Sequence, residues 1–242
     1  MTKELGRISQ GYKDLTTGTD TVRFMTPEEV KNIPKHKTVT YTRITADYRE
    51  EKKDPYRVRI TVGGNLIKPI GPTTSNTADI TTSKLLWNSV ISDKDARYIT
   101  LDVKNYYLQT PMPNAEYMKM PIKLIPEEFI QEYKLKDKEV NGYIFMKIIR
   151  GMYGLPQAGR LANNLLKQRL SKFGYYETVT TPGLWKHTFR PVYFTLIVDD
   201  FGIKFKDIKN GMHLIETLKK FYEVEIDWNG SRYAGITLDW DY

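Results

Sequence analysis

Alternation of apolar and polar positions is clearest at Tyr56-Arg57-Val58-Arg59-Ile60-Thr61-Val62, which predicts a strand with both arginines on one face. Upstream, residues 1–35 are polar and poorly periodic, punctuated by Gly11, Gly18 and Pro27. Gly63-Gly64-Asn65 marks a turn, and after the Pro/Gly-rich segment 69–72 the pair Thr81-Thr82 caps a helix expected over about 83–92, with Leu85, Leu86 and Val90 apolar. The β-branched and aromatic stretch Arg97–Leu108 predicts a strand ending in a helical turn, with Asp102 inside it. A proline-marked loop over 111–126, a short acidic segment and a strand at Tyr143–Ile149 follow.

The turn cluster Gly151, Gly154, Pro156 and Gly159 leads into a helix that Gly174 is placed to end. Leu161, Leu165, Leu166, Leu170 and Phe173 share one face of that helix, while Arg160, Lys167, Arg169 and Lys172 lie largely off it. Residues 192–198 and 201–205 are apolar runs separated by Asp199-Asp200, which predicts a hairpin with both carboxylates at its tip. A helix near 211–222 and a short hairpin around Asn229-Gly230 complete the chain, with no internal repeat and no linker.

At 242 residues, with 40% hydrophobic positions, the chain can bury a substantial core, and one compact unit is expected. Lys and Arg exceed Asp and Glu by 37 to 29, and nine of those cations fall in residues 31–60 against only four acids. Such a local surplus suits a polyanion such as nucleic acid, although a merely basic protein would share it. The absence of cysteine excludes disulfides, thiolate zinc sites and a cysteine nucleophile. His36, His187 and His213 lack metal-ligand spacing and read as ordinary surface or core residues. Neither a signal peptide nor an apolar run of membrane-spanning length is present, so an intracellular protein without a membrane partner is expected.

An ionised Asp199-Asp200 pair at the end of the uncharged run Val192–Val198 is costly unless something neutralises it, although aspartates also favour plain turns. Asp102, between Leu101 and Val103, is a third carboxylate in an apolar strand. Three carboxylates on adjacent strands would make a hard-oxygen site for Mg²⁺, and a pair of ions would serve phosphoryl transfer without a covalent nucleophile.

In chain order, Leu101-Asp102-Val103-Lys104-Asn105-Tyr106-Tyr107-Leu108, Tyr153-Gly154-Leu155-Pro156-Gln157-Ala158 and Ile197-Val198-Asp199-Asp200 resemble the palm motifs of reverse transcriptases from copia-like LTR retrotransposons. Arg57–Val62 resembles their fingers strand, and Tyr233–Trp240 their segment near the primer grip, so the resemblance spans roughly residues 30–242. It implies an α+β polymerase right hand: an antiparallel palm sheet backed by helices, with a fingers subdomain and the thumb largely missing. The corresponding division is an N-terminal extension over 1–30, a fingers-like segment over 31–100, and a palm over 101–242 with a fingers insertion at about 111–150.

The same resemblance implies an RNA-directed DNA polymerase that adds dNTPs to a primer on an RNA or DNA template, using two Mg²⁺ or Mn²⁺ ions. Asp102, Asp199 and Asp200 would hold the metals with help from the Val103 carbonyl. Tyr107 would lie under the incoming sugar and exclude a 2′-hydroxyl, its alternative being a core tyrosine. Gln157 would contact the nucleotide, and Arg57 or Arg59 would clamp its triphosphate. Lys84, Arg160, Lys167 and Arg169 would line a template channel, or else form a solvated helix face.

Three positions depart from the family pattern: Ile197 replaces the usual tyrosine before the aspartate pair, and Asn105 and Tyr106 replace small residues. A nucleic-acid-binding relic that no longer polymerises and a two-metal nuclease are the competing readings. The chain would then be a segment of a Pol polyprotein, a truncated copy or a host-encoded relic, working in cytoplasmic virus-like particles or in the nucleus.

Overall fold

Where chain length suggests one unit, the computed structural model divides into two: Met1–Thr73 with Tyr107–Leu161, and Thr74–Tyr106 with Ala162–Tyr242. Residues 1–50 and 55–242 are described. Glu51, Lys52, Lys53 and Asp54 of the basic stretch lie outside the described residues. The chain is α+β, and among the described residues no helix is long and apolar enough to cross a membrane.

The first unit is built on a mixed five-stranded path: Val22–Phe24, Tyr143–Arg150, Pro111–Pro121, Val39–Tyr48 and Tyr56–Val62. A parallel pairing in this path sets Val39–Tyr41 beside Tyr117–Lys119. Residues 1–30, expected as an extension, belong to this unit. Their helix, Thr2–Ile8, is too short to show a period in the sequence, yet it buries Leu5 and Ile8 completely in the core beside Met118, Phe129 and Met146. Glu4 on that helix accepts two 2.7 Å bonds from the Arg7 guanidinium and one of 3.1 Å from the Ile60 N–H.

Tyr56–Val62 forms as the alternation predicts, pairing antiparallel with Val39–Tyr48 from Thr42↔Val62 to Tyr48↔Tyr56. Ile60 and Val62 enter the core, and at the far end of this ribbon Tyr48 and Tyr56 lie exposed with ring centroids 5.3 Å apart. The 111–126 loop is a correction, because Pro111–Pro121 is a strand. Its prolines sit where a missing N–H is tolerated: Pro111 and Pro121 at the two ends, and Pro113 in the register break between Pro111 and Glu116.

The 151–159 turn cluster is clasped to the strand it follows in space. The Val62 N–H donates to the Tyr153 carbonyl at 2.9 Å, and Gly154 has φ +95. A Cβ on Gly154 would lie 2.2 Å from the Val62 carbonyl oxygen, so only glycine permits this approach.

The second unit holds a six-stranded sheet, antiparallel throughout, in the order Tyr175–Glu177, Leu184–His187, Val192–Ile197, Asp200–Lys206, Ala96–Val103, Val224–Asp227. Alternation along Ala96–Val103 gives its two faces to different helices. Ala96 and Tyr98 pack against Leu86 and Val90 of the Ile80–Ile91 helix. The opposite face carries Ile99, Leu101 and, across the pairing, Phe205, whose ring abuts Gly211 of the Ile208–Lys219 helix.

Three local expectations are corrected here. Asp79 caps the Ile80–Ile91 helix, accepting from the Thr82 N–H at 2.6 Å, in place of Thr81-Thr82. The helix expected near 211–222 begins at Ile208, three residues earlier, because Asp207 supplies its cap by accepting from the Lys209 N–H. Val224–Asp227 joins the central strand instead of a terminal hairpin, and the last hairpin turns at Ala234-Gly235 between Arg232–Tyr233 and Ile236–Thr237. The signal at Asn229-Gly230 is real but serves a side-chain turn, in which Asp227 accepts from the N–H groups of Asn229 and Ser231.

Candidate active site

Two short strands' worth of pairing bring the acids together in the second unit. Asp102 is the penultimate residue of Ala96–Val103, directly opposite Asp200 on one side and Glu225 on the other. Cross-strand partners share a face, so Asp200, Asp102 and Glu225 form one row across three strands. Asp199 does not stand in that row. Ile197 pairs with Asp200, which leaves Val198-Asp199 as the two-residue turn and makes Asp200 the first residue of its strand. The Asp199 carbonyl accepts from the Val103 N–H at 3.1 Å, tying the turn to the end of the central strand. Val198 takes φ 60, a left-handed conformation that a β-branched residue adopts only under constraint.

The electrostatics of this row are one-sided. Burial pushes the Asp102 carboxyl up to about 6, and Asp199, Asp200 and Glu225 each push it further in the same direction. Asp200 is raised as well, by burial first and then by Asp199, while its side-chain interaction with Asp102 pulls it the other way. The nearby cation serves the outer acids: the Lys104 ammonium meets Glu223 at 2.7 Å and Glu225 at 3.0 Å.

Among the described residues no group of three or more His, Asp or Glu side chains is set as a ready metal cage. The donor set itself fits a hard divalent cation, since a carboxylate whose proton affinity is raised by burial and by neighbouring acids, as that of Asp102 is, is relieved by a positive charge placed beside it.

The expected nucleotide residues lie in the first unit and fall into two groups. Arg57 and Arg59 point to the same side of the ribbon, so alternation could not separate them; Arg57 stands opposite Asp47. The Arg59 guanidinium lies 5.5 Å from the centroid of the Tyr153 ring, which in turn meets Tyr107 edge-on at 5.0 Å. Tyr107 is half-buried against the core. Gln157 is elsewhere in the unit, lining a cavity of about 250 Å³ with Arg160, Lys37 and Glu116.

No family model matches the chain, and no curated protein matches it.

The four expected template cations are treated differently by the fold. Lys84 is exposed and Arg160 lines the cavity with Gln157. Lys167 is held 2.5 Å from the carboxylate of Glu177, and the Arg169 guanidinium lies over the rings of Phe221 and Tyr222 at 5.1 and 4.8 Å. Those two side chains are engaged in packing the second unit. His187 is buried, accepting at Nδ1 from the N–H groups of Phe189 and Arg190, and His213 bonds the Tyr175 hydroxyl at 2.9 Å. Glu225 is the acid that sequence reading missed. Its alternating segment Val224-Glu225-Ile226-Asp227 carries a strand signal, but only long-range register makes it a neighbour of Asp102.

Proposed function

We propose that the chain is the catalytic core of an RNA-directed DNA polymerase of the copia-like retrotransposon type, a polymerase hand with the antiparallel sheet of the second unit as palm and the first unit as fingers. The observation that carries this reading is the carboxylate row Asp200–Asp102–Glu225 with Asp199 in the adjoining turn. These acids meet at the ends of their strands, and burial together with Asp199, Asp200 and Glu225 raises the proton affinity of Asp102, which favours a bound cation over an empty site.

Asp102, Asp199 and Asp200 would hold two Mg²⁺ or Mn²⁺ ions, which when bound supply activation of a primer 3′-hydroxyl and neutralisation of the departing pyrophosphate. The protein's own residues do the positioning. The Asp199 carbonyl, held by the Val103 N–H, fixes the turn relative to the central strand. Arg59 offers a guanidinium to a triphosphate, and its place over Tyr153 restricts the directions it can reach. Tyr107, braced edge-on by Tyr153, presents a ring that a sugar with a 2′-hydroxyl would meet. Template and primer, dNTPs and other segments of a Pol polyprotein are the partners this reading entails, in the cytoplasm or the nucleus.

The test is primer extension by the purified chain on an RNA template with dNTPs, with and without Mg²⁺ or Mn²⁺, beside Asp199→Asn. Metal-dependent extension that falls by about a thousandfold or more in the variant is expected. Salt-sensitive template binding with no extension under any condition would leave a nucleic-acid-binding relic instead, and cleavage of the template would point to a nuclease.

A further inference from the structure

A buried carboxylate in the first unit has no part in the reading so far. Glu116 is only 6% exposed, yet its Oε1 takes two donors, the Lys37 ammonium at 2.8 Å and the Gln157 Nε2 at 3.4 Å. A buried ion pair brings little net stability over an apolar pair of the same shape, so this one calls for another use. The geometry supplies it. An ionised carboxylate only accepts hydrogen bonds, so the end of the Gln157 carboxamide that faces it must be the NH₂. The Gln157 Oε1 is thereby turned the other way, and it is buried without a hydrogen-bond partner. The Arg160 side chain and Gln157 line the same cavity of about 250 Å³.

We propose that Glu116, anchored by Lys37, is a positioning residue that locks the Gln157 carboxamide with its oxygen presented as an acceptor to a hydrogen-bond donor on the bound nucleotide. The Lys37 ammonium holds Glu116 in place, Glu116 dictates which end of the amide faces it, and the unpartnered oxygen is held ready for a ligand. Without the lock, a free carboxamide offers donor and acceptor about equally, and half of its orientations set an NH₂ against the ligand's own donor. The role in nucleotide binding rests on the polymerase reading; the lock itself does not.

The decisive variant exchanges the charges, Lys37→Glu with Glu116→Lys. It retains a buried ion pair but sets a donor before Gln157, which reverses the amide. A second variant, Lys37→Met with Glu116→Leu, removes the lock while preserving apolar volume. Hydrogen exchange of the Gln157 side-chain NH₂, followed by NMR in the isolated chain and assigned with Gln157→Leu, reads the lock without any activity. The wild type is expected to exchange about tenfold more slowly than the Met/Leu variant, as the loss of one hydrogen bond implies. In primer extension, both variants are expected to raise KM for dNTP about as much as Gln157→Leu does, with kcat little changed and an unchanged thermal midpoint. Equal exchange rates in wild type and the Met/Leu variant would overturn the lock. Slow exchange with an unaltered KM in the charge-exchanged variant would overturn its role in nucleotide binding. Absence of extension by the wild type would count against the polymerase reading alone, because the exchange comparison stands without it.

Discussion

Glu4 and Asp102 are both carboxylates set among apolar neighbours, and the two units treat them oppositely. In the first unit Glu4 receives a two-pronged guanidinium from Arg7 and a backbone N–H from Ile60. In the second, Asp102 faces Asp200 and Glu225 across the sheet and has its proton affinity raised by every acid around it. A carboxylate that serves folding is satisfied by the fold, whereas one left among its own kind leaves room for a positive charge from outside. The contrast separates structure from function more sharply than burial does.

The largest expected effect probes the satisfied side. Glu4→Ala strands the buried Ile60 N–H and removes the carboxylate that meets Arg7, and should destabilise the first unit by about 1–3 kcal/mol, seen as a lower urea midpoint for amides of that unit. A loss below about 1 kcal/mol would erase the distinction. The unsatisfied side should respond with the opposite sign. In metal-free buffer Asp102→Asn is expected to stabilise the second unit by about 0.5–2 kcal/mol, and in the presence of Mg²⁺ to abolish the proposed primer extension. An unchanged or lower midpoint would break the comparison.

The same acid predicts a pH dependence. Asp102 is held at about 6 against an ordinary 3.8, so the folded chain binds its proton more tightly than the unfolded chain. Its contribution is therefore most favourable below about 4 and is lost as pH rises through about 6. Metal-free wild type should gain more in urea midpoint between pH 7 and pH 5 than Asp102→Asn does, and equal gains would refute the assignment. Magnesium should sharpen the contrast further: at ten times its dissociation constant it should stabilise the wild type by about 1.4 kcal/mol and Asp102→Asn hardly at all. The smallest effect concerns the turn. Val198→Gly relieves a φ of 60 but frees the unfolded chain, for an expected net gain of about 0.5 kcal/mol by the same denaturation measurement.

These contrasts also explain what the sequence disclosed. Asp102, Asp199 and Asp200 were legible because an aspartate within an apolar strand violates a local expectation. Their division into row and turn was not, since it depends on Asp200 pairing with Ile197. Glu225, Glu116 and Arg169 acquire their meaning from partners far away in sequence. The alternating Arg57–Arg59 strand was read correctly from local pattern alone. Pro111–Pro121 was missed because proline was counted as a breaker without asking which N–H groups the ladder needed.

The Gly154 clasp carries a mechanical consequence. The Val62 N–H holds the Tyr153 carbonyl, and the missing Cβ of Gly154 lets the turn lie flush on the strand. Ribbon and turn are thus bolted together, and the Tyr153 ring that touches Tyr107 rides on the bolt. A load on the exposed tip at Tyr48 and Tyr56 would travel down the ribbon as down a lever arm, and would reach Tyr107 through ring contact instead of along the chain.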